Sequence, residues 1–238
     1  MLTLAEVGTK DFVIDLGSGD GRIVLTAAKV FGARGFGVDI NEKLVKQANE
    51  SAKAQGVADR ANFSVQDLFH TDISKATVLT MYLLPHTVNM LKDKLLAELS
   101  PGTRILSHDY PLSGWIPEKY VQMDLEDKVA ISGVTTTLIY MYVVPAKAEG
   151  AWSAKLPPSM SKDPVRLNLK QQITRVSGSA RIGGKDVLLE EAKLRGERFS
   201  FKLALGGKTY EFAGTVKGRA IEGSVEGGGE KASWSAAR

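Results

Sequence analysis

The chain has 238 residues, enough for one large domain or two smaller ones, and its 43% hydrophobic and 24% charged content is that of a folded globular protein. It contains no cysteine, which excludes disulfide staples, thiolate metal sites and a cysteine nucleophile. The net charge of +4 hides an asymmetry: residues 1–150 carry 15 Lys and Arg against 18 Asp and Glu, and residues 151–238 carry 16 against 9. Such a split points to two domains with different jobs. The basic half reads either as a solvated β surface or as a patch for nucleic acid or an acidic partner. The opening ten residues include Glu6 and lack a long apolar core, so they do not read as a signal peptide. The longest apolar runs, 78–84 and 138–144, fall far short of the roughly 20 residues a membrane span needs. A soluble, cytoplasmic protein is expected, and a first strand as early as Phe12 leaves room for a preceding segment.

In chain order, residues 12–16 predict a buried strand and 21–31 a helix with Ile23, Leu25, Ala27, Ala28 and Val30 at its apolar positions. A second strand is predicted over 35–40. Asn41 then caps a helix whose Leu44, Val45 and Ala48 recur at helical spacing, and Gly56 ends it. A third strand runs through 63–65 and a fourth over 77–84. After Pro85 comes a helix carrying Val88, Leu91, Leu95, Leu96 and Leu99; Pro101 and Gly102 turn the chain into a fifth strand at 104–107. Strand then helix, repeated, predicts a doubly wound α/β domain with a parallel, Rossmann-like sheet covered on both faces. Two further strands, near 120–126 and 135–144, have no helical pattern between them and are expected as an antiparallel hairpin at the sheet edge.

Around residues 145–164 the texture changes to alanine, lysine, serine and proline, a linker composition. Beyond it strict alternation takes over: Phe199, Phe201, Leu203 and Leu205, then Tyr210, Phe212 and Val216, then Ile221 and Val225, with Trp234 last. Earlier strands are expected over 167–176 and 187–194. The predicted organisation is therefore an α/β domain at 1–147, a linker at 148–164, and an antiparallel β domain at 165–238, a meander or barrel-like sheet.

The chemistry is carried by Asp15-Leu16-Gly17-Ser18-Gly19-Asp20-Gly21, between the first strand and the first helix. Glycines let the backbone approach a ligand, and a helix N-terminus offers unpaired N–H groups at the place where open α/β sheets bind ligands. A dinucleotide loop needs a small third residue in G-x-G-x-x-G, and here Arg22 stands in that position. Asp15 suits an ammonium-bearing ligand, whereas Asp15 and Asp20 would repel a pyrophosphate. Asp39 can accept from two ribose hydroxyls, and Asp67 is placed to receive an adenine amino group. These features point to S-adenosylmethionine, with Asp15, Gly17, Ser18, Gly19, Asp20 and Gly21 in the loop and Asp39, Ile40, Asp67 and Leu68 at the next two strand ends as its candidate ligands.

Residues 13–22 together with Gly37-Val38-Asp39 resemble the first motif and acidic loop of the class I, seven-β-strand methyltransferases. The resemblance implies a sheet of seven strands with one reversed hairpin, S-adenosylmethionine as cofactor and S-adenosylhomocysteine as product. A narrower resemblance rests on Asp15-Leu-Gly-Ser-Gly-Asp-Gly-Arg-Ile-Val24, Gly32-Ala33, Asp67-Leu68-Phe69, residues 95–99, and Pro111 to Trp115. These strings are similar to a lysine N-methyltransferase group that includes the mitochondrial enzymes acting on the adenine nucleotide translocase and the ATP synthase c subunit, with archaeal relatives. The similarity spans residues 1–118 and leaves the β domain out. It implies a protein substrate with a lysine acceptor.

On the acceptor side, the D/N-P-P-Y/F motif of enzymes that methylate base or glutamine amino groups is absent: the segment is Tyr82-Leu83-Leu84-Pro85. A lysine must lose its proton before it can attack, and an apolar, aromatic-lined channel lowers its pKa by desolvation. Tyr82, Phe69, Tyr110 and Trp115 are candidates for such a channel, with Tyr82, Pro85, His86 and His108 the candidate catalytic residues and Asp109 able to orient a cation. His70, His86 and His108 lack the H-x-H or H-x-x-x-H spacing of a metal site, so no metal is expected. Two other readings are a methyltransferase of a small molecule or RNA gripped by the basic domain, and a methyltransferase fold used as a binding module without catalysis. Oligomeric state is not legible.

Overall fold

The computed structural model describes the backbone of residues 1–238 and all side chains except those of Asp127, Ile131 and Ser132. The chain divides into two units, Met1–Val144 and Pro145–Arg238. The first holds a seven-stranded sheet: β1 (Phe12–Leu16), β2 (Arg34–Asp39), β3 (Ala61–Val65), β4 (Val78–Met81), β5 (Arg104–His108), β6 (Lys119–Asp124) and β7 (Thr136–Val143), in the order β3-β2-β1-β4-β5-β7-β6. The first five are parallel, and β7 enters antiparallel between β5 and the edge strand β6. Successive strands step from β1 towards β3 on one side and from β4 outward on the other. The switch therefore falls between β1 and β4, where open sheets leave a crevice beyond the strand C-termini.

The central strands are apolar because both faces are covered. Helix α1 (Arg22–Phe31) buries Val24, Leu25, Ala27 and Ala28; α2 (Glu42–Ala54) buries Val45, Ala48 and Ala52. The apolar stripe of α1 is thus rotated from the expected one: Val24 is in the core and Val30 is 69% exposed. Asn41 caps α2 as expected, its Oδ1 accepting from the N–H groups of Lys43 and Leu44 at 3.1 and 3.3 Å. The fourth strand stops at Met81, three residues short of expectation, because its pairings with β1 and β5 end there, and Pro85 opens α3 (Pro85–Met90). Leu91 joins α3 to α4 (Lys92–Glu98). A single helical turn, α5 (Val129–Ser132), lies between the last two strands, where no helix was expected.

The second unit is a nine-stranded antiparallel sheet of β8 (Gly150–Lys155), β9 (Val165–Gln172), β10 (Arg175–Ile182), β11 (Lys185–Leu188), β12 (Glu190–Arg195), β13 (Arg198–Leu205), β14 (Lys208–Lys217), β15 (Ala220–Gly227) and β16 (Glu230–Ala237). Its order, β11-β10-β9-β8-β16-β15-β14-β13-β12, leaves as edges two strands that are consecutive in the chain. With β12 lying near β10, the sheet curls back on itself into a barrel-like form. The interior is filled by alternating side chains, with Phe201 stacked on Phe212 at 4.7 Å between ring centroids and Trp234 edge-on to both.

Two sequence expectations need correction here. Residues 150–155 lie inside the expected linker but form β8, because Trp152 is fully buried with its Nε1 donating to Ala148 O at 2.8 Å. The single strands expected over 167–176 and 187–194 are each two strands, broken at Ile173 (φ 55°) and at Leu189, with Glu191 (φ 50°) in an irregularity inside β12. Non-glycine residues in the left-handed region give no compositional signal of a turn.

Candidate active site

The loop after β1 folds as its glycines dictate. Gly17, Gly19 and Gly21 have φ of 75°, 54° and 80°. A Cβ at Gly21 would meet the Phe63 ring at 2.6 Å and Ala48 Cβ at 2.8 Å, while one at Gly19 would meet nothing within 4 Å. Gly21 is therefore the packing glycine. Arg22, in the third position of the dinucleotide spacing, is exposed (81%) and paired with Asp20 at 2.7 Å. The loop is tied to β2 by the N–H groups of Gly17 and Ser18, both donating to Val38 O at 2.9 Å. Gly37 has no side chain because Ser18 and Phe63 fill that space.

Three carboxylates flank the loop. Asp15 is 2% exposed, accepts from Thr80 Oγ1 at 2.6 Å, and has no ion pair among the described residues. Burial pushes its pKa up to about 7; the Thr80 hydrogen bond works against this, and the charges of Asp39 and Asp20 add to it. Asp39 accepts from Gly19 N–H and Asn41 N–H, both at 2.9 Å, so it fixes the loop as well as facing the crevice. Asp67 caps a short 3-10 turn, Leu68–His70, accepting from Phe69 N–H at 2.8 Å, with His70 Nδ1 at 3.1 Å. These bonds hold its carboxyl below the usual range.

The strand C-termini also carry apolar side chains in the open: Ile40 is 78% exposed, Val65 53%, Tyr82 42% and Leu84 72%. Such a rim marks a binding edge rather than a core. At the ends of β4 and β5, Tyr82 and His108 pack with ring centroids 4.0 Å apart. His108 Nε2 is buried without a hydrogen-bond partner, 3.8 Å from Asp109 Oδ1. Burial holds the His108 pKa down, Asp109 opposing and Lys128 assisting. Asp109 sits in the left-handed region (φ 63°), and its Oδ1 accepts from Lys128 Nζ at 2.7 Å and Leu138 N–H at 3.1 Å.

With this geometry in hand, the comparisons with known proteins decide the family. The profile of the ANTKMT methyltransferase domain matches residues 15–119, within the first unit. A protein-lysine N-methyltransferase of Saccharolobus islandicus is 41% identical over 145 residues, 60% of this chain and 86% of that protein. The chain belongs to the ANTKMT methyltransferase family. The mouse adenine nucleotide translocase lysine N-methyltransferase is 31% identical over 145 residues, and the chain covers 58% of its length. Among solved structures, a Salinibacter ruber protein described as an RNA methyltransferase in complex with S-adenosyl-L-homocysteine is 46% identical, with a TM-score of 0.53; the match covers 60% of this chain and 86% of that one.

The protein is thus an S-adenosylmethionine-dependent methyltransferase, and the residues present fit that cofactor. Among the described residues Ser18 Oγ is buried in the loop without a partner, Gly19 leaves open space, Asp15 is a buried carboxyl lacking a cation, and Ile40 exposes an apolar surface beside Asp39. Of the acceptor-side candidates in the methyltransferase, the fold brings Tyr82 and His108 together. Pro85 is the first residue of α3, and His86 is exposed on that helix, its imidazole making no hydrogen bond among the described residues. Trp115 is core: it is 3% exposed and packs on Tyr142 at 5.6 Å, so it lines no channel. Thr80 and Lys128 were missed. Thr80 carried no signal inside an apolar strand, and Lys128 meets Asp109 across 19 residues of sequence. Among the described residues no group of three His, Asp or Glu is placed to hold a metal, and no helix is long and apolar enough to cross a membrane.

Proposed function

We propose that this methyltransferase acts on the ε-amino group of a lysine in a protein partner. The observation that carries the reading is the 41% identity to an archaeal protein-lysine N-methyltransferase across 86% of that protein. When bound, S-adenosylmethionine supplies a methyl carbon activated by its sulfonium. The chain's residues do the rest, which in methyl transfer is alignment and desolvation. In this reading Gly17, Ser18, Gly19, Asp20 and Gly21 form the cradle, and Asp15 stands as counter-charge to the cofactor's ammonium. Asp39 takes the ribose hydroxyls, Ile40 and Leu68 flank the adenine, and Asp67 meets its amino group with the lone pairs left after capping.

For the acceptor, Tyr82 forms an aromatic wall and Asp109 draws in the lysine ammonium. His108, kept neutral by burial, has a free Nε2 to take the proton that the amine must lose before its lone pair can attack. Pro85 fixes the entry to α3, and His86 lies on the outer side of the same mouth. The cytoplasm is the compartment this reading assumes. A second reading, with RNA as the methyl acceptor, draws on the description of the Salinibacter ruber protein. Incubation of the pure protein with isotope-labelled cofactor and host lysate, followed by mass spectrometry, separates the two. Methyl-lysine in a protein is the expected result; label confined to RNA or small molecules would overturn the proposal.

A further inference from the structure

The positive charge of the second unit is concentrated on one side of its sheet. Strands β8, β9 and β10 are neighbours, and their sequences, GAWSAK, VRLNLKQQ and RVSGSARI, contain no Asp or Glu. Their inward positions, among them Trp152, Leu167 and Ala180, are in the core. The alternate positions face out, and five of them are Lys155, Arg166, Lys170, Arg175 and Arg181, all exposed. Arg181 stands opposite Arg166, which stands opposite Ser153. Like charges directly opposite on neighbouring strands are destabilising, so this pairing is not a folding device. Among the described residues, only Arg181 of the five has an ion pair, with Asp186 at 3.9 Å. Of the unit's acids, Glu149 and Asp163 precede β8 and β9, Glu197 sits in the turn between β12 and β13, and the others lie on β11, β12, β14, β15 and β16; Lys202 on β13 pairs with Glu191 at 2.9 Å and lies 3.7 Å from Glu211.

Between the charged rows lies a hollow of about 710 Å³, with Ala151, Asn168, Ser177 and Ser179 on its floor, Lys170 beside them, and Leu188 at the rim. Its lining is more apolar than polar, with Leu169, Leu188 and Leu189 beside Asn168 and the serines, and it has no aromatic or methionine anchor. Protein interfaces are centred on such anchors, whereas nucleic-acid interfaces are polar and basic. The charges also form a track. From the row of Lys155 to that of Arg175 is eight residues along β9, about 26 Å at ~3.3 Å per residue, with rows about 6.6 Å apart. A chain of regularly spaced phosphates matches that track better than the irregular carboxylates of a folded protein.

We propose that the outer face of β8, β9 and β10 binds single-stranded RNA through its phosphate backbone, without base stacking. The aromatic rings of this unit, Trp152, Phe199, Phe201, Tyr210, Phe212 and Trp234, are all inside the barrel-like core, so sequence preference is weak. The binding is independent of which acceptor receives the methyl group.

The test uses the full chain, without cofactor, and a fluorescein-labelled 20-nucleotide single-stranded RNA of mixed sequence, read by anisotropy across a salt series. Five contacts give a log–log salt slope near about −3.5, so affinity falls about 100-fold between 50 and 200 mM NaCl. The double substitution Arg166→Gln with Lys170→Gln should bring the slope to about −2 and weaken binding at 100 mM salt by at least tenfold. A control with the same charge loss, Lys217→Gln with Lys231→Gln on β14 and β16, should leave both values within twofold. Circular dichroism establishes that the exposed substitutions keep the fold. Absence of RNA binding at 50 mM NaCl, equal weakening by both double variants, or binding to phosphatidylserine vesicles with none to RNA would each overturn the proposal. Failure of lysine methylation in the lysate experiment would leave it standing.

Discussion

Asp15→Asn probes the cofactor loop through its electrostatics. The wild-type carboxylate is buried with Thr80 as its hydrogen-bond donor, and burial lifts its pKa to about 7 from 3.8 in a free chain. Between those values the folded protein holds a proton that the unfolded chain has released. A raised carboxyl pKa therefore contributes stability that is complete below pH 3.8 and is lost as pH rises to 7. About three pH units at 1.36 kcal/mol each give an upper figure of about 4 kcal/mol. Asparagine cannot ionise, can accept the same Thr80 hydrogen bond, and is free of this loss. In thermal melts of the ligand-free protein from pH 4.5 to 8.5, the variant's Tm should gain on the wild type as pH rises, by on the order of 10 °C for the first unit. The variant should also bind cofactor more weakly, for want of a counter-charge. At pH 6 the wild type should release close to one proton per cofactor bound, measured by calorimetry in two buffers, and the variant none. A Tm difference that stays constant across the pH range, or equal proton release by both proteins, would refute the reasoning.

Gly21→Ala puts a methyl group into the Phe63 ring and Ala48 at a φ of 80°, so the first unit should lose about 2–3 kcal/mol by urea unfolding. Gly19→Ala faces open space but must hold a φ of 54°, so it should cost on the order of 1 kcal/mol of stability, less than Gly21→Ala, and weaken cofactor binding. His108→Gln should leave cofactor affinity within twofold while removing, at saturating cofactor, the acid limb of the kcat/KM profile for the acceptor, which in the wild type lies below 6.5 because burial lowers the imidazole pKa. Trp152→Ala opens a cavity in the second unit and should cost about 3–5 kcal/mol, seen as an early calorimetric transition for that unit.

How far the sequence can be read depends on whether the physical cause is local. The loop at 15–21 was legible because its glycines answer to backbone angles and its acids to the charge of a ligand, and both leave their mark residue by residue. The succession of strands and helices followed from alternating periods and the short connections between them. The phase of α1 was misjudged: Val24 and Val30 are equally apolar, and only the sheet decides which is covered. Strand β8 was invisible because its alanines, serine and lysine read as linker until β9 and β16 supply its hydrogen bonds. Arg22 stands where a dinucleotide loop packs its third small residue, and in the fold the packing is done by Gly21, since one-dimensional spacing cannot say which residue turns inward.

The acceptor side turns on a pairing that no spacing reveals. Asp109 holds a left-handed backbone, which costs on the order of 1 kcal/mol even for aspartate, and persists because its carboxylate is held by Leu138 N–H and Lys128 Nζ. Burial alone would raise the Asp109 pKa; the Lys128 bond, with Leu138 and the nearby His108, brings it below the usual range. With side-chain exposures of 13% and 9%, the pair is screened little by solvent. If the ion pair holds the turn, Asp109→Asn and Lys128→Met should couple by on the order of 2 kcal/mol in a double-mutant cycle of unfolding free energies. Asp109→Gly would relieve the backbone yet still lose stability, because the carboxylate is what the turn is built around. If glycine at 109 proved more stable than aspartate, or the coupling fell below about 0.5 kcal/mol, the ion pair would have no structural role. Asp109 would then act only on the acceptor, through its charge beside Tyr82 and His108.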